Sequence, residues 1–318
     1  MLISTTRTLQ LPLLAVASLA LGGCLTASDP ESIREVTVLY TNDEHGWMEG
    51  MEAGQSAANL FALWQAHEGF TADGPFLVLS GGDNWTGPAI STWTAGESMV
   101  EVMNAMDYDA SAVGNHEFDD GPEVLRGFMD AVQFPVLMSN ADVTREELLA
   151  DVLQKSTVIE RGGEKLGLIG LTPEDTPDIA SPGPRIRFHN PVDAVRREIA
   201  RLAEDGITRI IVLSHSGHPV DQRIAAEVDG IDVIVGGHSN TYLSNNSDKA
   251  EGPYPTWVRT PDGGQTAIVQ AYAYGKYLGR LDVSFDENGV VTDAIGEPII
   301  IDGQIAEDTD LKARIAEM

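Results

Sequence analysis

The chain has 318 residues, of which 42% are hydrophobic, and it carries a formal net charge of −29 with a sequence pI near 4.3. This apolar content is enough for a sizeable core, so the composition excludes a disordered chain. The negative charge excludes the basic surface with which proteins bind a nucleic acid polymer.

The N-terminal segment is typical of export. Residues 11–23 are apolar but too short to span a bilayer, and they end in the sequence LGGC, which resembles the lipobox cleaved before a lipid-modified cysteine. We therefore predict a lipoprotein signal peptide over residues 1–23, a lipid on Cys24 and a polar tether over residues 24–34. The protein would be exported and anchored to a bacterial membrane on its periplasmic or cell-surface side. Cys24 is the only cysteine, which excludes an internal disulfide.

From residue 35 to about residue 240, apolar runs alternate with amphipathic stretches, and hairpin patterns follow. The predicted helices lie at 55–67, 97–106, 122–131, 191–202, 221–228 and 308–318. The predicted strands lie at 36–40, 76–80, 110–113, 134–138, 210–215 and 232–238, and in the hairpins 156–160/165–170, 256–259/266–270 and 278–285/289–295. This order predicts an α/β domain over residues 35–305. Residues 306–318 would begin a helix leading to a C-terminal domain that is absent from the sequence.

Five of the apolar runs end in residue types that bind metals. These residues are Asp43 and His45, Asp83, Asn115 and His116, His215, and finally His238 and Asn240. Residues at the carboxyl ends of parallel strands meet in one crevice of an α/β sheet. Carboxylate, imidazole and amide ligands without a thiolate suit Zn, Mn, Fe or Co. A carboxylate that bridges two such metals, with a hydroxide held between them, would supply a strong nucleophile near neutral pH.

The motifs resemble those of a known family. They are Asp43-Glu44-His45, Gly82-Asp83, Gly114-Asn115-His116-Glu117-Phe118-Asp119, Ser214-His215 and Gly236-Gly237-His238. In this order they are similar to the calcineurin-like metallophosphoesterases, and more narrowly to the 5′-nucleotidase branch. The resemblance covers roughly residues 35–318. It implies a four-layer α-β-β-α sandwich of two mixed sheets.

The resemblance also implies a role for each residue at a site with two divalent metal ions. Asp43 and His45 would bind the first ion, Asp83 would bridge both, and Asn115, His215 and His238 would bind the second. His116 would lie beside the ions and stabilise the phosphoryl transition state or assist the leaving group, with Asp119 orienting it.

One position departs from the family pattern. The branch has His or Gln two residues after the histidine of its Gly-Gly-His-Ser motif, whereas this chain has Asn240. Asn240 offers an amide oxygen on a shorter arm. It would bind the first metal directly or through water, or else leave that site open.

Other residues near the motifs have less specific assignments. Glu44 and Glu117 are expected to support the site rather than bind metal. Trp47, Trp85 and Trp93 follow the motif loops, and core packing is favoured over a role in walling the pocket.

These patterns predict an exported, dinuclear metal-dependent hydrolase of phosphate esters. A 5′-nucleotidase-type phosphomonoesterase that uses a metal-bridging hydroxide is favoured, with a small phosphorylated substrate, in particular a nucleotide. Three alternatives stay open: a cyclic-nucleotide phosphodiesterase, a sulfur-ester hydrolase of the same fold, and a non-catalytic ligand-binding lipoprotein.

Overall fold

The computed structural model describes residues 34–67, 69–71 and 73–318. The predicted signal peptide, the predicted lipidation site Cys24 and all but the last residue of the predicted tether lie outside these ranges. Among the described residues, no helix combines the length and the apolar character needed to cross a membrane.

Fifteen strands and eight α-helices are present in the described ranges. The strands are β1 (Arg34–Thr41), β2 (Phe76–Ser80), β3 (Ala110–Ala112), β4 (Val136–Leu137), β5 (Ala141–Asp142), β6 (Ser156–Arg161), β7 (Glu164–Leu171), β8 (Arg187–Phe188), β9 (Arg209–Ser214), β10 (Val233–Gly236), β11 (Thr256–Arg259), β12 (Gln265–Val269), β13 (Tyr277–Phe285), β14 (Val291–Gly296) and β15 (Ile299–Ile300). The helices are α1 (Ala57–Gln65), α2 (Ala89–Trp93), α3 (Glu97–Ala105), α4 (Pro122–Ala131), α5 (Thr176–Ile179), α6 (Pro191–Glu204), α7 (His218–Glu227) and α8 (Thr309–Glu317), and a 3₁₀ turn spans His116–Phe118.

The strands form two mixed sheets of similar design. The first has the order β14-β13-β1-β2-β3-β4, with β15 also paired to β13, and the second has the order β11-β12-β10-β9-β7-β6. In the first sheet β1 to β4 are parallel, while β13 runs antiparallel to β1. In the second sheet β12, β10, β9 and β7 are parallel, and the edge strands β11 and β6 are antiparallel to their neighbours. Strands β5 and β8 form a separate ribbon.

The side-chain alternation in β1 shows how the layers are built. Val36, Val38 and Tyr40 lie in the core between the sheets, whereas Leu39 on the opposite face packs against the helices that cover the first sheet. All four are fully buried. A strand covered on both faces is rich in apolar residues, and the fully buried half of β1 contains the consecutive apolar residues Val38, Leu39 and Tyr40.

Helices cover the outer face of each sheet. Trp64 of α1, Met103 of α3 and Leu311 of α8 belong to the cluster on the first sheet. Val195 of α6 and Ile224 of α7 belong to the cluster on the second. The order of layers is therefore helix, sheet, sheet, helix, which confirms the predicted fold class.

Several element boundaries differ from the predictions by a few residues, and two of these differences have a clear local cause. The predicted helix over residues 55–67 begins only at Ala57, because the hydroxyl of Ser56 accepts a hydrogen bond from the amide of Asn59 and caps the helix. The predicted strand over residues 134–138 contracts to Val136–Leu137. Pro135 in this segment has no amide hydrogen to donate, which limits ladder formation.

Candidate functional site

The predicted ligand loops meet at one edge of the two sheets. Two groups of possible metal ligands occur there, and within each group the ligand atoms lie within 4.8 Å of one another. The first consists of His45, Asp83 and His116, and the second of Asp83, His215 and His238. Asp83 belongs to both groups, which is the position that a bridging carboxylate requires.

Asp43 lies directly against these groups. Its Oδ1 atom is 3.7 Å from His215 Nε2 and 4.0 Å from His45 Nε2. The amide of His238 donates to both carboxylate oxygens of Asp43 at 3.0 Å. Asp83 Oδ2 lies 2.8 Å from His215 Nε2, so one imidazole is shared between the two carboxylates.

Five of the predicted ligands have left-handed backbone conformations. They are Asp43, His45, Asp83, His238 and Asn240, with φ between +49° and +69°. Residues other than glycine occupy this region rarely, although Asp, Asn and His tolerate it best. Such strain persists where the surrounding structure enforces it, and it concentrates at functional sites.

Two asparagine side chains indicate that the site fits a metal. Among the described residues, the buried Oδ1 atoms of Asn115 and Asn240 have no hydrogen-bond partner. A buried amide oxygen without a partner costs free energy, which coordination to a cation would recover. Carboxylate, imidazole and amide oxygen together form a donor set for a divalent transition metal. Ligation by each residue stays a prediction.

The charges of the site are strongly coupled. Burial raises the pKa of Asp43 to about 7. Burial acts in the same direction on Asp83, but His215 outweighs it and holds the pKa of Asp83 well below its usual range. Burial lowers the pKa values of His45 and His238, which favours the neutral imidazole that binds metals.

His116, which the sequence analysis placed beside the metals, belongs to the first group of possible ligands and is paired with Asp119. Nδ1 of His116 lies 2.6 Å from Asp119 Oδ2, and its Nε2 lies 4.0 Å from Asp83 Oδ2. The hydrogen bond to Asp119 raises the pKa of His116 to about 9, against the opposing effect of partial burial. His116 therefore carries a proton near neutral pH and presents Nε2 towards the carboxylate common to both groups.

Glu117 connects the loop after β2 to the loop after β3 through hydrogen bonds of its side chain. Its Oε2 accepts from the amides of Asp83 and Gly114 at 3.0 and 2.6 Å. Its Oε1 accepts from the amide and the side chain of Asn84 at 2.7 and 3.2 Å. The carboxylate is fully buried and joins the loop after β2 to the loop after β3. This arrangement agrees with the supporting role expected from the sequence.

Gln270 is a supporting residue that the sequence analysis missed. Its Nε2 donates to the carbonyl of Gly237 at 2.6 Å, and its Oε1 accepts from the hydroxyl of Ser239 at 3.1 Å and from the amide of Thr241. It therefore braces the loop that contains His238 and Asn240. Gln270 directly follows the parallel strand β12. The rule that residues at the carboxyl ends of parallel strands line the crevice of an α/β sheet could therefore have identified it.

The tryptophans near the motifs differ in environment. Trp85 is fully buried, as predicted, but Trp93 is 83% exposed, so the prediction of core packing is wrong there. Trp93 ends the short helix α2, whose inner face is taken by Ser91, and the last side chain of that helix faces solvent. Trp47 is half-buried, with its ring 6.4 Å from that of Tyr274.

The four-layer fold, with ligand-type residues at the carboxyl ends of its parallel strands, is that of a metallophosphoesterase. Residues 36–242 match the family described as calcineurin-like phosphoesterase, and the chain belongs to this family.

Curated relatives include a snake venom 5′-nucleotidase of Gloydius brevicauda, 37% identical over 93% of this chain and 53% of the relative. The 5′-nucleotidase of Diplobatis ommata is 39% identical over 88% of this chain and 51% of the relative. Among solved structures, a 5′-nucleotidase precursor from Thermus thermophilus superposes with a TM-score of 0.83 at 33% identity, over 89% of this chain and 58% of that one. The chain thus spans about half the length of the relatives that it matches.

Proposed function

We propose that this protein is an exported, metal-dependent phosphoester hydrolase that removes the phosphoryl group from nucleoside 5′-monophosphates. The observation that carries the proposal is the position of Asp83, which is common to both groups of ligand atoms and lies 4.0 Å from the His116 imidazole. Phosphoryl transfer requires positive charge around a phosphate held in line for attack, together with a donor near the leaving oxygen.

Each residue has a defined task in this proposal. Asp43 and His45 would hold one ion, Asn115, His215 and His238 the other, and Asp83 both, with Asn240 as a further candidate for the first. When bound, two divalent ions would neutralise phosphate charge and lower the pKa of a water molecule enough to make it a nucleophile.

The His116–Asp119 pair would act on the phosphoryl group and the leaving group. Protonated Nε2 of His116 would donate to a phosphoryl oxygen or to the leaving oxygen as the ester bond breaks. The 2.6 Å hydrogen bond to Asp119 fixes the ring orientation and keeps the proton on the imidazole at neutral pH.

The nucleotide part of the proposal rests on the relatives. Two curated proteins named 5′-nucleotidases share 37–39% identity with this chain over 88–93% of its length. Because the chain spans only about half of those proteins, its own substrate requires a direct assay.

Analysis of the products provides that assay. The purified protein, reconstituted with Mn²⁺ or Zn²⁺, is given AMP, 2′,3′-cyclic AMP, p-nitrophenyl phosphate and a thiosulfate ester in parallel. Inorganic phosphate is measured for the two monoesters, the ring-opened nucleoside monophosphate for the cyclic nucleotide, and sulfate for the thiosulfate ester. Metal-dependent release of inorganic phosphate, fastest from AMP, is expected. Faster hydrolysis of the cyclic nucleotide or of the sulfur ester would contradict nucleoside 5′-monophosphates as the substrate class and favour the corresponding alternative. If no substrate is hydrolysed and elemental analysis finds less than one tightly bound metal ion per chain, the alternative of a non-catalytic ligand-binding lipoprotein is favoured.

We also propose lipid attachment at Cys24, after removal of residues 1–23. The supporting observations are the short apolar segment and the LGGC sequence that ends it. Mass spectrometry of the membrane fraction should find the mature N-terminus at a lipidated Cys24, and Cys24→Ser should release the protein from that fraction. An unmodified cysteine in the membrane-bound wild type would contradict this assignment.

A further inference from the structure

One buried carboxylate spans the carboxyl ends of two neighbouring strands, β9 and β10. Ser214 and Gly236 are partners across these parallel strands. His215 directly follows the first, and His238 comes two residues after the second. Asp221, in the first turn of α7, is fully buried, and its Oδ1 accepts from the hydroxyl of Ser214 at 2.5 Å. An added Cβ at Gly236 would lie 2.7 Å from Asp221 Oδ2, so the carboxylate contacts both strand ends.

The second oxygen of this carboxylate is unsatisfied. Among the residues that the structure describes, Asp221 Oδ2 has no hydrogen-bond partner. A fully buried carboxylate with an unpaired oxygen lowers the stability of the fold, whereas an apolar side chain of similar volume would not. Stability alone therefore does not account for Asp221. A buried polar group of this kind requires another explanation, and its position between two loops of predicted metal ligands supplies one.

The start of α7 makes a second connection between the two loops. The amide of His218 donates to the hydroxyl of Ser239 at 3.0 Å, and Ser239 directly follows His238. Gly217, the residue before the helix, has φ of +90°, and an added Cβ there would lie 3.6 Å from Cδ2 of His238. The loop after β9 and the loop after β10 thus both contact the first turn of one helix.

The two imidazoles that these loops present are close together. The ring centroids of His215 and His238 are 5.3 Å apart, with an angle of 63° between the rings. Nδ1 of His215 lies 2.7 Å from the carbonyl oxygen of Gly81, a contact that fixes the direction of this ring. The position of the ring depends in addition on the backbone at Ser214, which Asp221 holds through the hydroxyl.

We infer that Asp221 is a positioning residue that sets the affinity of the second metal ion, because it fixes the loops of His215 and His238 relative to each other. The inference rests on the proposed function, which assigns both histidines to that ion. Asp221 would contact neither the ion nor the substrate. Replacing residues that orient metal ligands in this indirect way typically changes metal affinity by roughly 10- to 100-fold.

Calorimetric titration of the chelator-treated full chain with Mn²⁺ tests this inference. Two variants assign the binding steps, since His45→Ala should remove the step of the first ion and His238→Ala that of the second. Asp221→Ala should weaken the second step roughly 10- to 100-fold and leave the first nearly unchanged. Glu227→Gln, at the exposed last residue of the same helix, is the matched control and should bind both ions as the wild type does.

A conservative replacement separates positioning from general packing. Asp221→Asn keeps an oxygen that can accept from the Ser214 hydroxyl, and its amino group can take the place of the oxygen that no donor contacts. It should therefore weaken the second step much less than Asp221→Ala does. Urea unfolding of the metal-free variants measures stability separately. If Asp221→Ala does not fold, Ser214→Ala, which removes only the hydroxyl, should show the same selective loss.

The outcomes separate this inference from the proposed function. An unchanged second step in folded Asp221→Ala, or equal weakening of both steps, would overturn the inference. A second step as weak in Asp221→Asn as in Asp221→Ala would contradict positioning through the Ser214 hydroxyl. If the wild type binds two ions but hydrolyses no substrate, the proposed function fails while the titrations still decide the role of Asp221. If His238→Ala removes no binding step, both fail.

Discussion

The buried carboxylate of Glu117 offers a direct test of how the candidate site is held together. Each of its oxygens accepts two hydrogen bonds, from Asp83 and Gly114 on one side and from Asn84 on the other. Glu117→Gln replaces one oxygen with an amino group. Whichever way the amide is turned, two donors lose their acceptor and face another donor.

The size of the effect follows from these contacts. A hydrogen bond to a charged group contributes about 1.5–3 kcal/mol, so two lost bonds correspond to about 3–6 kcal/mol. The variant no longer buries a charge, which offsets part of this loss. We therefore expect Glu117→Gln to lower the free energy of unfolding by about 2–4 kcal/mol. Because one of the displaced amides belongs to Asp83, affinity for metal should fall as well.

Urea unfolding of the chelator-treated protein at pH 8 measures the first effect. Burial raises the pKa of Glu117 to about 7, so the wild-type carboxylate is mostly ionised at this pH. Glu123→Gln, at an exposed position in the first turn of α4, is the matched control and should change stability by less than about 0.5 kcal/mol. A Glu117→Gln variant with the stability and metal content of the wild type would refute the bracing role.

Three further predictions concern the bridging carboxylate, the proton on the imidazole, and two glycines. Asp83→Asn should bind less than one divalent ion per chain by elemental analysis and release no phosphate; two retained ions with full activity would contradict its bridging role. In Asp119→Asn the pKa of His116, now about 9, should fall, so the alkaline limb of the kcat/KM profile should move to lower pH. In the wild type, the protonated imidazole of His116 contributes its full stabilisation below the unfolded pKa of about 6.5, and this stabilisation is lost as the pH rises through about 9. Thermal unfolding measured as a function of pH should show the loss at a lower pH in Asp119→Asn. Gly127→Ala in α4, where an added Cβ meets no atom within 4 Å, should stabilise the fold by about 0.5–1 kcal/mol in urea unfolding, whereas Gly114→Ala places Cβ 2.1 Å from Asp83 Oδ1 and should abolish metal binding in calorimetry.

Local patterns predicted most of the architecture because they report periodicity and chain reversal. Helix α4 begins and ends where Pro122 and the apolar spacing predicted, and the hairpin of β6 and β7 was expected from its glycine-containing turn. The predicted sandwich of two mixed sheets is confirmed. Short elements such as α2 and the ribbon of β5 and β8 were not predicted, because segments of two to five residues are too short to show a helical or strand periodicity.

Supporting contacts were less visible in the sequence. Gln270 braces a loop whose contact residues, Gly237, Ser239 and Thr241, lie 29 to 33 residues away along the chain. Tyr272 is connected to Asn42 over 230 residues. No propensity or spacing rule relates positions so far apart.

The sequence by itself determined which residue types follow each buried strand. Asp43, Asp83 and His215 could be selected as candidates because parallel strands deliver their carboxyl ends to a common edge. The family resemblance had already implied a bridging role for Asp83. Only the tertiary structure showed that its ligand atoms lie within reach of both groups of side chains, and that Glu117 anchors the loop that carries it. The reason is that distances of a few ångströms depend on how two sheets pack face to face, and sheet packing is set by the whole core rather than by any local segment.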